Sequence, residues 1–399
     1  MKKYLFILAA SAALVACSKN ELTPAASVAD QEITYTVAPK VKAVTDFNTD
    51  WKFKATAFYL ANKSTNDPKV TDQKWDDRKD TPSTYIDDVE ISYDNAENVW
   101  RNADKKYYWP KDGKLTFFAY TSLQQTISEF DVEATEYGKE SFANTSSYVS
   151  AAVDATNGVK FADYDVTDNK NVDLLVADIR KDEVKNLDGT YKVEGVPTLF
   201  RHKLSKVLFT AKTDQDYTDD TKNGNVYTFV INSIKFNNIN SKGSYAQVAS
   251  STTTPAVTAG WTLDETATYV KEQTYYAKGT TGYTVPYVAT GGTVKVIYAD
   301  GNQYYYMPQK FVADPANNSS DSFTVNYTIT TKNSAGAKVA EETVEATFPL
   351  NSTDANSTIF DEWKEGYKYT INLTFTLNEI LWDPAVEEWI DASGSATIK

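Results

Sequence analysis

The sequence predicts an all-β protein built from β-sandwiches, and three observations carry that expectation. Apolar residues recur at every second position in short runs, Gly- and Asn-rich turns separate the runs, and no helical pattern alternates with them as a parallel α/β sheet would require. Composition agrees. The 399-residue chain holds 27 tyrosines with abundant Thr and Val, residue types that suit a pleated surface. A hydrophobic content of 41% and an aromatic content of 13% exclude wholesale disorder, and the length suits two domains of about 150 to 200 residues.

The N-terminus reads as an address. Lys2 and Lys3 form a basic n-region, Tyr4 to Val15 an apolar stretch too short for a comfortable membrane span, and Leu14-Val15-Ala16-Cys17 a cleavage site resembling the bacterial lipobox. Cys17 is the single cysteine, so it is the expected lipidation site, and the chain has neither disulfides nor spare thiol chemistry. Residues 1–17 are therefore the signal peptide, and the small polar residues that follow are a tether.

Within residues 18–45, Ile33, Tyr35 and Val37 alternate with Thr34 and Thr36 and predict a first short strand, followed by Lys40 and Lys42. Trp51 to Leu60 predicts the second strand, with Trp51, Phe53, Ala55 and Ala57 on one face. Residues 62–80 are polar and predict a loop. Leu115 to Tyr120 follows the Lys111-Asp112-Gly113 turn as a strand, residues 121–160 predict loops with one helix, and Val172 to Ala177 a buried strand.

The loop around Asp188 to Gly195 is the best domain boundary, giving sandwiches over 46–194 and 195–379. In the second, strands are expected at 204–210, 226–234, 293–298, 303–307, 323–329 and 339–348. Phe360 to Gly366 is expected to make one helical turn. Tyr369 to Leu377 alternates without a miss and predicts a closing strand. After it, Ile380, Trp382, Val386, Trp389, Ile390 and Ile398 continue an apolar character almost to Lys399, where a terminus is usually polar.

Little in the sequence supports catalysis. His202 is the single histidine, and its place at the start of a strand suits a structural hydrogen bond better than a triad. A zinc site needs several His or Cys ligands, and no glycine-rich phosphate loop precedes a helix, so no metal and no cofactor are expected. Asp214, Asp216, Asp219 and Asp220 read as an acidic turn rather than a calcium loop. Carboxylates at Asp87, Asp88, Glu90, Glu387 and Glu388 would suit a glycoside hydrolase only if two faced one cleft, whereas adjacent acids on a strand point to opposite faces. The eight tryptophans read first as core. A formal net charge of −14 argues against nucleic acid.

Several strings, taken in order, resemble the fimbrillin family of pilus subunits and related surface lipoproteins. They are Tyr107-Tyr-Trp-Pro110, Gly113 to Tyr120, Asp173 to Ala177, Phe200-Arg-His-Lys-Leu-Ser205 continuing to Phe209, Ile231 to Ile239, Met307-Pro-Gln309, Trp363 to Tyr369, and Trp382 to Trp389. The resemblance implies two tandem transthyretin-like β-sandwiches with few short helices. It also implies an outer-membrane lipoprotein carried on Cys17, whose leader and first strand are removed by a surface protease specific for arginine or lysine. The opened groove would then take the C-terminal strand of another copy or a related subunit, and the fimbria would serve adhesion to a host or glycan ligand. Carried onto this chain, the expelled strand is Ile33, Tyr35 and Val37, the cleavage candidates are Lys40 and Lys42, and the donor is residues 380–399. The segment after Val37 holds no arginine, so a lysine must serve. Without cleavage, a monomeric lipid-anchored adhesin or glycan binder of the same fold is the alternative.

Overall fold

The computed structural model describes residues 31–37, 47–62, 73–128, 139–144, 149–185, 195–219, 224–250, 259–264, 272–278, 282–298, 303–312, 321–353 and 359–389. Cys17, Lys40, Lys42, Ile390 and Ile398 lie outside them. Twelve strands occupy the N-terminal half. They are β1 (Tyr35–Val37), β2 (Phe53–Leu60), β3 (Ser83–Asp94), β4 (Val99–Arg101), β5 (Lys114–Ser128) and β6 (Lys139–Asn144), then β7 (Ala152–Asp154), β8 (Gly158–Asp165), β9 (Val172–Ala177), β10 (Arg180–Glu183), β11 (Val196–Thr198) and β12 (Phe200–His202).

Ten of these form one sheet in the order β11-β1-β4-β3-β2-β5-β9-β12, with β6 and β10 also paired to β5. The end strands β11 and β12 are separated in the chain by Leu199 alone, so the sheet must curl back on itself. Its inner face carries the first core, where Trp51, Phe53, Ala55 and Ala57 meet Trp100, Leu115, Phe117 and Phe200. The register of β2 slips against β3 on either side of Ala57, and Phe58 then packs into a different core, with Trp75 and Phe118. Trp75 is buried and donates its backbone N–H to Asp182, which anchors the end of the expected 62–80 loop.

The second half begins with β13 (Ser205–Thr213), β14 (Asn225–Asn237), β15 (Lys242–Ala246), β16 (Gly260–Leu263), β17 (Glu272–Ala277) and β18 (Tyr283–Thr284). It continues with β19 (Tyr305–Tyr306), β20 (Gln309–Lys310), β21 (Ser322–Asn333), β22 (Lys338–Pro349), β23 (Ser352–Thr353), β24 (Ile359–Phe360), β25 (Glu362–Trp363), β26 (Tyr367–Phe375) and β27 (Ile380–Glu388). One sheet runs β19-β13-β26-β27 and another β17-β14-β21-β22 with β18 on β14. Their apolar faces share one core, including Phe209 and Ile371 from the first and Phe236 and Phe323 from the second, which makes a sandwich. A smaller sheet, β16-β15-β8-β7, takes strands from both halves and covers a third core with Tyr120, Phe161, Leu174, Tyr245 and Trp389.

The all-β expectation holds, and most predicted strands form within a few residues of their expected ends. Three expectations are corrected. Residues 121–160 hold the end of β5, then β6, β7 and the start of β8, not loops with a helix. Their polarity conceals these strands in the sequence, because Thr121, Ser122 and Gln125 are buried and hydrogen-bonded where apolar residues would be expected. Residues 360–366 form parts of β24 and β25 and a turn at Gly366, where φ is +72°, rather than a helical turn. Trp363 accounts for the extended shape: it is 1% exposed and inserts between Phe236, Tyr306 and Phe311. Residues 293–298 make single bonds beside β13, Ile297 N–H to Phe209 O at 2.7 Å among them, and no ladder. No helix forms among the described residues.

Beyond β26 the Thr376 hydroxyl and Glu379 carbonyl close a tight turn, which leaves Leu377 exposed instead of continuing the strand. β27 then pairs with β26 along its whole length. Trp389 follows β27 and is 4% exposed, with its ring stacked on His202 at 3.7 Å and on Tyr305 at 5.1 Å. Removing that ring should cost the monomer about 3 to 5 kcal/mol, as core aromatic deletions do. Urea unfolding of Trp389→Ala is expected to show this loss, whereas Val386→Ala, at a side chain 52% exposed, should stay within about 0.5 kcal/mol of the parent.

Candidate functional site

The first strand and its surroundings form the site. Residues 31–37 are paired on both flanks although the segment is short. On one side, β1 runs parallel to β11, with Tyr35 opposite Val196, Thr36 opposite Pro197 and Val37 opposite Thr198. On the other it is antiparallel to β4 through Tyr35 and Trp100, and the pairing continues beyond the strand. Ile33 donates its N–H to Tyr107 O at 2.7 Å, Trp109 donates to Gln31 O at 2.9 Å, and Val196 donates to Thr34 O at 2.7 Å. An element paired on both sides is a central strand, so its removal would expose two edges and a trough between them.

Side chains fill that trough by the ordinary alternation of a strand. Ile33 and Tyr35 point inward and are almost fully buried, and Val37 is half-buried against the same core. The Tyr35 ring meets Phe53 edge-on at 5.6 Å and Phe117 at 6.0 Å. Phe47, the first described residue beyond the segment that carries Lys40 and Lys42, stacks on Phe200 at 4.8 Å and packs edge-on to Trp100 at 5.3 Å. Burial of Ile33 and Tyr35 contributes about 2 kcal/mol each, a small part of a domain's stability.

Charge fixes the register of the segment. Glu32 lies 3.5 Å from Arg101 and 3.1 Å from Lys106, and Arg101 also bonds Glu97 at 2.7 Å. Burial, and then the neighbouring Tyr107, push the Tyr35 hydroxyl far above the usual tyrosine range. At the other flank Gly195 has φ +53°, and a Cβ there would lie 2.7 Å from the Thr34 carbonyl oxygen. Only glycine allows β11 to approach the segment this closely.

The other end of the chain stays within its own fold as far as it is described. Ile380 belongs to the C-terminal core, Trp382 meets Phe323 edge-on at 5.3 Å, Val386 is exposed, and Trp389 lies in the third core. Pro384 marks β27 as an edge strand, since it has no N–H to offer a further neighbour.

Elsewhere the polar groups considered for chemistry are structural neighbours of one another. His202 Nδ1 lies 2.7 Å from an Asp173 carboxylate oxygen, and both side chains are buried. Glu90 pairs with Lys52 at 2.7 Å, Asp88 with Lys54 at 3.5 Å, and Glu387 with Lys368 at 2.6 Å, each across neighbouring strands. Asp216 accepts bonds from the Thr218 N–H at 2.9 Å and hydroxyl at 2.6 Å, which makes an acidic turn. A cleft of about 530 Å³ lies between the halves, lined by Asp178, Lys181, Lys203, Tyr245, Gln247 and Glu365. Lys203 and Glu365 pair at 2.6 Å.

Comparison with known proteins places this architecture. The family model described as fimbrillin-like matches residues 54–389. In fold the chain is similar to a fimbrial protein of Bacteroides vulgatus, with 16% identity over 90% of this chain and 100% of that one, and a TM-score of 0.56. It is also similar to a candidate cell adhesion protein of Bacteroides uniformis, at 14% identity over 91% and 99% of the two chains with a TM-score of 0.38. A third likeness is to the C-terminally truncated tip fimbrial protein Mfa3 of Porphyromonas gingivalis, at 7% identity over 90% and 100% with a TM-score of 0.34. No curated protein sequence matches the chain.

Gly195→Ala is the substitution expected to loosen the first strand specifically, by about 2 kcal/mol, through the left-handed backbone and the clash with Thr34. Hydrogen exchange should show faster exchange of the amides of residues 33–37 while those of β26 keep their rates.

Proposed function

The chain belongs to the fimbrillin-like family, and from that premise we propose that it is a structural subunit of a cell-surface fimbria assembled by strand exchange. In this reading the precursor is lipidated at Cys17 and carried to the outer membrane. A surface protease cuts after Lys40 or Lys42, and Ile33, Tyr35 and Val37 leave with the leader. A strand from another copy or a related subunit then enters between β4 and β11. The mature chain is read as two sandwiches, 46–194 and 195–379, although β11 and β12 at the start of the second stretch pair into the sheet of the first.

One observation carries the reading: a short strand, paired on both flanks, is joined to the rest of the fold only through the segment that holds Lys40 and Lys42. Cutting that segment would make the strand a separate peptide. Its hold is then a few backbone bonds and two buried side chains, which a longer strand of similar pattern can outbid.

The donor is the C-terminal tail, residues 380–399. β27 and Trp389 root it in its own subunit, and residues 390–399, which include Ile390 and Ile398, are the part that reaches the next one. A second reading is a lipid-anchored surface adhesin that keeps β1 in place and never polymerises. The lack of arginine between Val37 and Phe47 favours it where the surface protease is strict for arginine.

The test uses the chain with Cys17 replaced by serine. Digestion with a lysine-specific protease should yield a mature N-terminus at Val41 or Ala43 by mass spectrometry, followed by a ladder of multimers on a gel. The combined Lys40→Ala and Lys42→Ala variant should stay monomeric under the same digestion. A protein that is cut at either lysine, loses residues 31–37 and still remains monomeric would overturn the fimbrial reading and leave the adhesin.

A further inference from the structure

We propose that the cavity filled by Tyr35 is a phenylalanine-selective pocket for a strand supplied by a different subunit, one that carries an aliphatic residue two positions from a phenylalanine. The proposal rests on the strand-exchange reading above and adds what the incoming strand must look like.

The pocket fits an aromatic ring. Phe53 and Phe117 present their rings edge-on to Tyr35, and Trp109 packs against Phe117 at 5.7 Å. The pocket encloses a hydroxyl without pairing it. Tyr35 Oη is buried and has no hydrogen-bond partner among the described residues. The fold treats its other deeply buried tyrosines differently. Tyr275 donates to Ile297 O at 2.8 Å, Tyr306 to Gln303 O at 2.9 Å, and Tyr164 to Val172 O at 3.2 Å. An unpaired buried hydroxyl carries the full desolvation penalty of the group, and phenylalanine in the same place carries none. β1 therefore matches the pocket in shape and mismatches it in chemistry, which suits a strand that has to leave.

The chain's own tail does not supply the better ring. In the sequence of residues 390–399 the apolar or small residues Ile390, Ala392, Gly394, Ala396 and Ile398 recur at every second position, and no aromatic stands two positions from either isoleucine. β1 offers Ile33 and Tyr35 at that spacing. Whichever way the tail entered, Ala392 or Ala396 would face the Tyr35 cavity when an isoleucine filled its neighbour, and the void would cost much of the contact. Ile380 and Trp382 have the right spacing, but they are committed to the ladder with β26 and to the contact with Phe323, and Pro384 lacks the N–H a central strand needs. The occupant that fits best comes from a different subunit, while the tail of a second copy enters the same trough more weakly.

The full chain, with one specific protease site in place of residues 39–42, tests this. After the cut, and once residues 31–37 have been removed, three fluorescent decapeptides are titrated by anisotropy: the tail sequence 390–399, the same with Ala392→Phe, and the same with Ala396→Phe. The two variants cover both strand directions. At least one phenylalanine peptide is expected to bind about a hundredfold more tightly than the tail itself. A tail that binds as tightly as both variants overturns the proposal and leaves strand exchange standing. If no peptide binds, strand exchange and the pocket assignment fall together. In the uncut chain, Tyr35→Phe should slow amide exchange of residues 33–37 by about tenfold, since the unpaired hydroxyl is gone. An unchanged or faster rate overturns the pocket's preference for phenylalanine.

Discussion

The pairing of residues 31–37 on both flanks is the constraint on which the N-terminal half depends. β4 and β11 each carry a row of backbone groups toward the space between them, and both need a strand there. Unpaired backbone groups in a shielded cleft are costly, and the apolar walls around Ile33 and Tyr35 would be wetted as well. The fold is therefore more stable with a strand in that place. It does not dictate that the occupant be part of the same chain.

A second constraint ties the two halves together. His202 ends the last strand of the N-terminal sheet, Tyr305 belongs to β19 of the C-terminal sandwich, and Trp389 lies between their rings. Beneath it, the buried contact between His202 and Asp173 links β12 to β9. The Trp389 N–H bonds Gly366 O at 2.9 Å, so the backbone as well as the ring is held at the seam. Whatever follows Trp389 starts from a fixed point on the molecule, remote in sequence from the trough at β1.

Alternation made much of this legible. Tyr369, Ile371, Leu373 and Phe375 line up on the buried face of β26, and Val172–Ala177 is a strand buried along its length, as their sequences indicate. The pattern failed where polar side chains are buried and bonded, as at Thr121, Ser122 and Gln125, and where a large ring such as Trp363 draws a Gly-ended segment into the core. The parallel partner of β1 could not be read at all, because Val196 lies far along the chain and nothing local marks it. The tail reads as an apolar donor segment that needs a groove, its own or another molecule's. Its described part has a home, since Trp389 is enclosed by residues from three distant stretches, and no local pattern encodes that. The buried hydroxyl of Tyr35 is invisible in sequence for the same reason: only the surroundings show that it has no partner among the described residues.

Fimbriae purified from cells that express the chain give the most direct measurement, by N-terminal sequencing of the subunit within the polymer. Strand exchange requires that subunits begin at Val41 or Ala43 and that residues 33–37 be absent from the filaments. Filaments whose subunits retain Ile33, Tyr35 and Val37 would contradict it, because the trough between β4 and β11 would still be filled by its own strand.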